Sequence, residues 1–188
     1  MIEKTLVLVK HDGVNRGLVG EIISRFEKIG LKILAMKMIH ADDKLAENHY
    51  QVTKEWAEGV FNKTKKTYED KGKPFKFKNP MEYGTMIKNW NKGFLMEGPV
   101  VAVVLEGPHA IEIVRKLVGN TEPRQALPGT IRGDYIFDSY SVADVKARPI
   151  RNLIHASGSV DEANREISLW FTKDEIVSYK RDFDKHFY

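Results

Sequence analysis

The chain has 188 residues, 42% of them hydrophobic and 30% charged, with a formal net charge of +4. That length suits one globular domain with a full core. The lack of any cysteine excludes disulfides, thiolate metal sites and a thiol nucleophile. No apolar run is long enough to span a bilayer, and Lys10 and His11 cut short the first apolar run, so the N-terminus has no secretory layout. The expectation is a cytoplasmic protein with no membrane partner.

The run Thr5-Leu6-Val7-Leu8-Val9 is short and β-branched, as a buried strand requires, and Asp12-Gly13 then turns the chain. Val19, Ile22, Ile23, Phe26 and Ile29 recur at helical spacing with polar residues between them, so 19–29 is predicted as an amphipathic helix stopped by Gly30. Residues 31–39 alternate as a second strand. Asp42 or Asp43 can cap a short helix running to His49-Tyr50. Helical pieces are expected over 54–69 and 80–91, parted by the turn-like Lys71-Gly72-Lys73-Pro74.

Residues 54–92 hold ten lysines against five acids, a local +5 that leaves the rest of the chain at −1. Such a segment could attract polyanions, nucleic acid among them, but dispersed lysines read first as a solvated face.

Pro99 to Leu105 is a third buried strand, followed by an amphipathic helix over 109–118 that Gly119 ends. Residues 120–150, with Pro123, Pro128, Gly129, Gly133 and Pro149, read as long ordered loops. Asn152 to His155 forms a short strand, and Ser159-Val160-Asp161-Glu162 is a capping box that opens the last helix. The charged, aromatic tail after Phe171 is expected to wrap on the surface. The order of elements is that of a split βαβ arrangement, a ferredoxin-like α/β sandwich with a four-stranded antiparallel sheet.

His155 ends an apolar run just before a capped helix that carries Glu166. A histidine there is ordinarily structural, yet a carboxylate on one ring nitrogen would fix the tautomer and leave the other free to attack. Backbone N–H groups near Ser157 and Ser159 could contact a phosphate. Arg132 lies between two glycines in Pro128-Gly129-Thr130-Ile131-Arg132-Gly133-Asp134, and Arg115, Thr121 and Lys10 add two cations and a hydroxyl. One histidine among cations and hydroxyls suggests phosphoryl transfer.

Lys10 to Glu27 (KHDGVNRGLVGEIISRFE), His49-Tyr50, Gly98 to Ala102, Pro128 to Asp134 and Arg151 to Ile167 (RNLIHASGSVDEANREI) resemble, in order, the nucleoside diphosphate kinase family. The resemblance implies a ping-pong enzyme that carries the γ-phosphate of a nucleoside triphosphate such as ATP on His155 to a nucleoside diphosphate. It implies that Glu166 anchors the imidazole and Tyr50 supports the transferring group. Lys10 and Asn152 would hold the ribose hydroxyls, and Arg115, Thr121, Arg132 and Lys10 the phosphates. It further implies Mg²⁺ held mainly through the nucleotide, with no metal site of the protein's own, and a homo-oligomer, hexameric or built from dimers.

Four departures stand out. His11 replaces a proline and should relax the turn beside Lys10, and Gly158 replaces an acid after the nucleophile. The segment at about 51–97 is longer than in typical members, and about ten residues are added near 136–148 within the single domain. The aromatic that stacks on the base must lie in the first of these: Phe75 fits the family's local motif best, with Phe61 and Phe94 as alternatives. A nucleotide-binding relative with weak turnover and a nucleic-acid-binding protein are the rival readings.

Overall fold

The computed structural model describes residues 2–70 and 72–186. Strand β1 (Ile2–Val9) leads through a one-turn helix, α1 (His11–Val14), to α2 (Val19–Lys28) and β2 (Lys32–Ile39). Helix α3 (Asp43–His49) is followed by two long helices, α4 (Lys54–Asp70) and α5 (Pro80–Met96). Then come β3 (Val100–Pro108), α6 (Ala110–Val118), the short helices α7 (Ile131–Tyr135) and α8 (Tyr140–Val145), β4 (Ile154–Ala156) and α9 (Val160–Trp170). The turn expected at Lys71–Pro74 begins on a residue outside the described set. No helix among the described residues is long and apolar enough to cross a membrane.

The sheet has the order β2-β3-β1-β4 with every neighbouring pair antiparallel, the ferredoxin-like arrangement expected from the element order. Side chains alternate along a strand, so β1 sends Val7 and Val9 to one face and Leu6 and Leu8 to the other. The first face packs on α2 and α6 through Ile22, Phe26, Val114 and Val118. The second packs on α3 and α9 through Ala46, Ile167 and Trp170. Leu8 is the cross-strand partner of His155, and opposed residues share a face. His155 is therefore directed toward α9, and a one-residue slip of β4 would turn it away.

That register is held just before the strand. Leu153 is fully buried with φ of 64°, a left-handed conformation that costs a non-glycine residue about 1–2 kcal/mol. Two hydrogen bonds keep it there: the Lys10 N–H donates to the Leu153 carbonyl at 2.8 Å, and the Leu153 N–H donates to Asp12 Oδ2 at 3.1 Å.

Most expected elements are present, with longer β1 and β3 than their apolar runs suggested. The 120–150 segment differs more. Thr130 caps α7 by accepting from the Gly133 N–H at 3.1 Å, and Ser139 caps α8 by accepting from the Val142 N–H at 3.3 Å. Helices of five and six residues are too short to leave a periodic signal.

In the 51–97 segment, α4 packs closely on α5 at Gly84, where a Cβ would lie 2.9 Å from Ala57 Cβ. Several of its lysines are paired: Lys54 with Glu58, Lys65 with Glu69, and Lys88 and Lys92 with Glu47 on α3. The tail lies along β2 as expected, with the Val177 N–H donating to the Leu34 carbonyl at 2.9 Å.

Candidate active site

His155 Nε2 lies 2.9 and 3.0 Å from the two oxygens of Glu166, which α9 brings to the sheet and leaves only 1% exposed. Ser157, two residues along and so on the same face of the chain, donates to Glu166 Oε2 at 2.7 Å. The carboxylate thus accepts from the ring and from the hydroxyl, and no described residue bonds Nδ1, which leaves that nitrogen available to the cavity that His155 lines.

Burial, then the nearby Lys10 ammonium, holds the imidazole down to about 3, against the pull of Glu162. The ring is neutral at physiological pH, as a nucleophile must be. Burial raises the Glu166 carboxyl above its usual range, opposed by His49, the Ser157 hydroxyl and Arg165.

Sequence reasoning assigned Ser157 only a backbone contact and missed His49 as part of the site. His49 ends α3 with its ring 4.6 Å from that of His155, and the Trp170 indole N–H donates to its Nδ1 at 3.3 Å. Burial lowers its proton affinity well below the usual histidine range. An i, i+2 hydroxyl after the histidine was the available signal for Ser157; for His49 it was the His49-Tyr50 motif, of which only the tyrosine was given a role.

The cations cluster as the motifs implied. Lys10 Nζ donates to Asn152 Oδ1 at 2.7 Å, and Asn152 Nδ2 donates to the Thr121 carbonyl at 3.0 Å. Arg132 is buried and donates to three carbonyls: Asn152 at 3.1 Å, Gly119 at 3.0 Å and Ile154 at 2.6 Å. A guanidinium has five N–H donors, so two remain for a ligand. Lys10, Tyr50, Arg115, Thr121, Arg132 and Asn152 line one cavity with His155 and Glu166. Burial raises the Tyr50 hydroxyl well above its usual range, so it stays protonated.

Lys10 is held down to about 8, by burial first and then by Arg132, against Asp12. Two pH effects follow. The kcat/KM profile of the free enzyme is expected to show no histidine limb near 6.5 and to fall as pH rises through about 8, where Lys10 loses its charge. A limb near 6.5 in the wild-type profile would contradict this assignment. Stability has the opposite dependence on the acid side. The folded His155 takes its proton below the unfolded one, so the contribution is complete above about 6.5 and is lost as pH falls toward about 3.

The four departures have structural counterparts. His11 does not loosen its turn: its Nδ1 is 3.0 Å from the Phe94 carbonyl and its Nε2 3.1 Å from Glu97, which ties the exit of β1 to the end of α5. At Gly158, Glu162 takes the space. The Ser159 hydroxyl accepts from the Glu162 N–H as a cap should, but the Glu162 carboxylate accepts from the Gly158 N–H at 2.6 Å instead of completing the expected box on Ser159. A Cβ at 158 would lie 2.7 Å from Glu162 Oε2 and 3.4 Å from Arg115 Nη1. Gly158→Ala is therefore expected to displace that carboxylate and lower stability by about 0.5–1.5 kcal/mol in denaturant titrations, the loss of a cap; an unchanged midpoint would show that Glu162 moves freely.

Phe75, the aromatic that the motif favoured for the base, is placed elsewhere. It packs with Phe61, Tyr68, Phe77 and Tyr83 at centroid distances of 5.2–5.7 Å and does not line the cavity. Phe61 is buried in the same cluster, and Phe94 is buried against His11. The aromatics that do line the cavity in these segments are Trp56, Tyr68, Tyr83, Trp90 and Tyr140.

Donor atoms of His49, His155 and Glu166 lie within 4.8 Å of one another. Two imidazoles and one carboxylate suit a transition metal, whereas Mg²⁺ takes oxygen ligands in an octahedron. No other such cluster exists among the described residues. The residues present thus fit a Mg²⁺ that arrives on phosphate oxygens, beside Lys10, Arg115 and Arg132.

The family model described as "Nucleoside diphosphate kinase" matches residues 3–75 and 81–176. A nucleoside diphosphate kinase of Pyrobaculum aerophilum is 48% identical over 94% of this chain and 98% of its own length. One from Borreliella burgdorferi is 41% identical over 100% and 99%. The crystal structure of the Pyrobaculum aerophilum NDP kinase superposes with a TM-score of 0.90 at 46% identity, covering 95% of this chain and all of that one. A transition-state mimic of the Borrelia burgdorferi enzyme with bound vanadate and ADP gives 0.81 at 40% identity, over 99% and 96% of the two chains. With the histidine, its carboxylate and the surrounding cations in one cavity, and with likeness along nearly the whole chain, this protein belongs to the nucleoside diphosphate kinase family.

Proposed function

We propose that the chain is a nucleoside diphosphate kinase that works by ping-pong transfer through His155 Nδ1. The observation that carries this is the orientation of the ring, with Nε2 held by Glu166 and Nδ1 without a partner among the described residues. In the first half-reaction the Nδ1 lone pair forms a bond to the γ-phosphorus of a nucleoside triphosphate such as ATP. The bond from that phosphorus to the β–γ bridging oxygen breaks, and the nucleoside diphosphate leaves. In the second, a terminal phosphate oxygen of another diphosphate attacks the phosphohistidine and restores the imidazole. The Nε2 proton stays toward Glu166 throughout.

Lys10, Arg115, Arg132 and Thr121 hold the phosphates, and the Lys10–Asn152 pair meets the ribose hydroxyls. Tyr50, as a protonated hydroxyl, supports the group in flight. Mg²⁺, which would be held through the nucleotide phosphates beside Lys10, Arg115 and Arg132, would supply charge neutralisation. The protein's share is positioning and electrostatic stabilisation, which in-line phosphoryl transfer needs most.

Assembly into a hexamer or dimer-based oligomer is supported by β2, an edge strand on which Met36 and Met38 are exposed, and by the exposed Leu127 and Phe137. A cytoplasmic location suits a chain without cysteine.

The test uses γ-labelled ATP. The wild-type chain should acquire an acid-labile, alkali-stable label that any added nucleoside diphosphate discharges. Failure to label, or a label that no diphosphate removes, would overturn the reading in favour of a nucleotide binder with little turnover.

A further inference from the structure

Lys10 is 7% exposed, and an ammonium is a compact, strongly hydrated charge that needs partners when it leaves water. Among the described residues its hydrogen-bond acceptor is Asn152 Oδ1, which leaves two of its three N–H donors for a ligand. Beside it lies the ring of Phe94, with the centroid 5.4 Å from Nζ. That is inside the range of about 6 Å over which an aromatic face attracts a cation. Phe94 is buried in the last turn of α5, so the end of the long 51–97 segment reaches the lysine here.

His11 fixes that ring. A carbonyl only accepts, so His11 Nδ1 donates to the Phe94 carbonyl at 3.0 Å, whether or not Nε2 also carries a proton. The two rings meet edge to face, with centroids 4.5 Å apart and planes at 70°. Nε2 lies 3.1 Å from Glu97 at the end of α5. Gly98 allows the close approach, since a Cβ there would lie 3.0 Å from His11 Cβ. His11 follows Lys10 directly, so the backbone, the imidazole and the end of α5 close a bracket around the lysine stem. The proline that this histidine replaces has no such donor.

We propose that Phe94 and His11 are positioning residues for Lys10: His11 ties the end of α5 to the exit of β1, and the Phe94 ring held there keeps the buried ammonium charged and aimed into the cavity before a nucleotide arrives. This rests on the reading of Lys10 as a ligand of the nucleotide. The other titratable groups that act on the ammonium are Asp12 on α1, Arg132 on α7 and the imidazoles of His49 and His155, and Asp12 is the one anion among them. Burial, then Arg132, presses Lys10 toward its neutral form, and the ring face opposes both. Bound phosphates supply counter-charge of their own, so the bracket matters most in the free enzyme.

Kinetic pH profiles, and the titration of Lys10 followed by its side-chain NMR signal, should be recorded for wild type, Phe94→Leu, Phe94→Tyr, His11→Ala, His11→Asn and the double variant Phe94→Leu/His11→Ala. Phe94→Leu keeps an apolar filling without a ring. It should move the alkaline limb of kcat/KM, and the Lys10 signal with it, downward from about 8 by about half a pH unit to one unit. Near neutral pH kcat/KM should fall about two- to tenfold, with the larger share in KM. His11→Ala should shift the titration in the same direction, and the double variant no further than Phe94→Leu. Phe94→Tyr keeps a ring and His11→Asn keeps a donor near the place of Nδ1, so both should titrate like wild type. A Lys10 titration unmoved in Phe94→Leu and His11→Ala overturns the bracket, and a lower Tm beside it would reduce both residues to packing. A Lys10 signal that shifts as expected in a chain that transfers no phosphate keeps the bracket and discards the kinase, whereas normal transfer with an unmoved signal does the reverse.

Discussion

His155→Gln is expected to lower phosphoryl transfer by at least about 10⁴-fold, the scale on which loss of a nucleophile is felt, and to abolish the trapped label. Glutamine keeps an N–H donor near Glu166, so the buried carboxylate is not left without a partner, and stability should change by no more than about 1 kcal/mol. Loss of transfer at an unchanged unfolding midpoint thus separates a chemical role from a structural one. A variant that still accepts label would move the nucleophile elsewhere, with His49 the nearest imidazole.

Arg132→Lys should cost less activity but more stability, for a different reason. The guanidinium donates at once to the carbonyls of Gly119, Asn152 and Ile154 and so ties the end of α6 to the approach and start of β4. Burial of this charge, which lowers its proton affinity to about 10, is tolerated because the fork meets all three oxygens. A lysine ammonium cannot reproduce that geometry, and carbonyls left unpaired in the interior cost about 1–3 kcal/mol each. The variant should lose about 2–4 kcal/mol, a Tm lower by roughly 4–16 °C for a chain of this size, together with about 10²–10³-fold in kcat/KM through weaker phosphate stabilisation. An activity loss with no change in Tm would show that Arg132 serves the ligand alone.

Much of the fold and site could be read before the structure. The runs Thr5–Val9 and Val100–Leu105 are β-branched and apolar enough to be strands in any context, and the period of 19–29 leaves α2 as its one solution. His155, Glu166, Lys10, Arg132 and Asn152 were legible because each sits in a dense motif, and the structure brings all five together. What stayed hidden depends on contacts between distant segments. Phe75 lies next to the expected Lys-Pro motif, but its partners come from α4 and α5, and their packing draws it out of the cavity. The Glu162 side chain had two N–H groups within reach, and Gly158, lacking a Cβ, left the nearer space open. The Tyr68–Asp144 contact joins residues 76 apart, which no local pattern can encode.

The place of β1 in the sheet also bears on how the protein is made. It is synthesised before the other three strands, yet it ends up between β3 and β4, and Lys10 must wait 142 residues for Asn152. At about 5–20 residues per second, roughly 5–20 s pass between the end of β1 and the start of β3. Throughout that interval a strand whose last five residues become fully or almost fully buried has two bare hydrogen-bonding edges. Nascent chains that stop short of residue 100 are thus the species most exposed to aggregation, and the active site is complete only once α9 has brought Glu166 to His155.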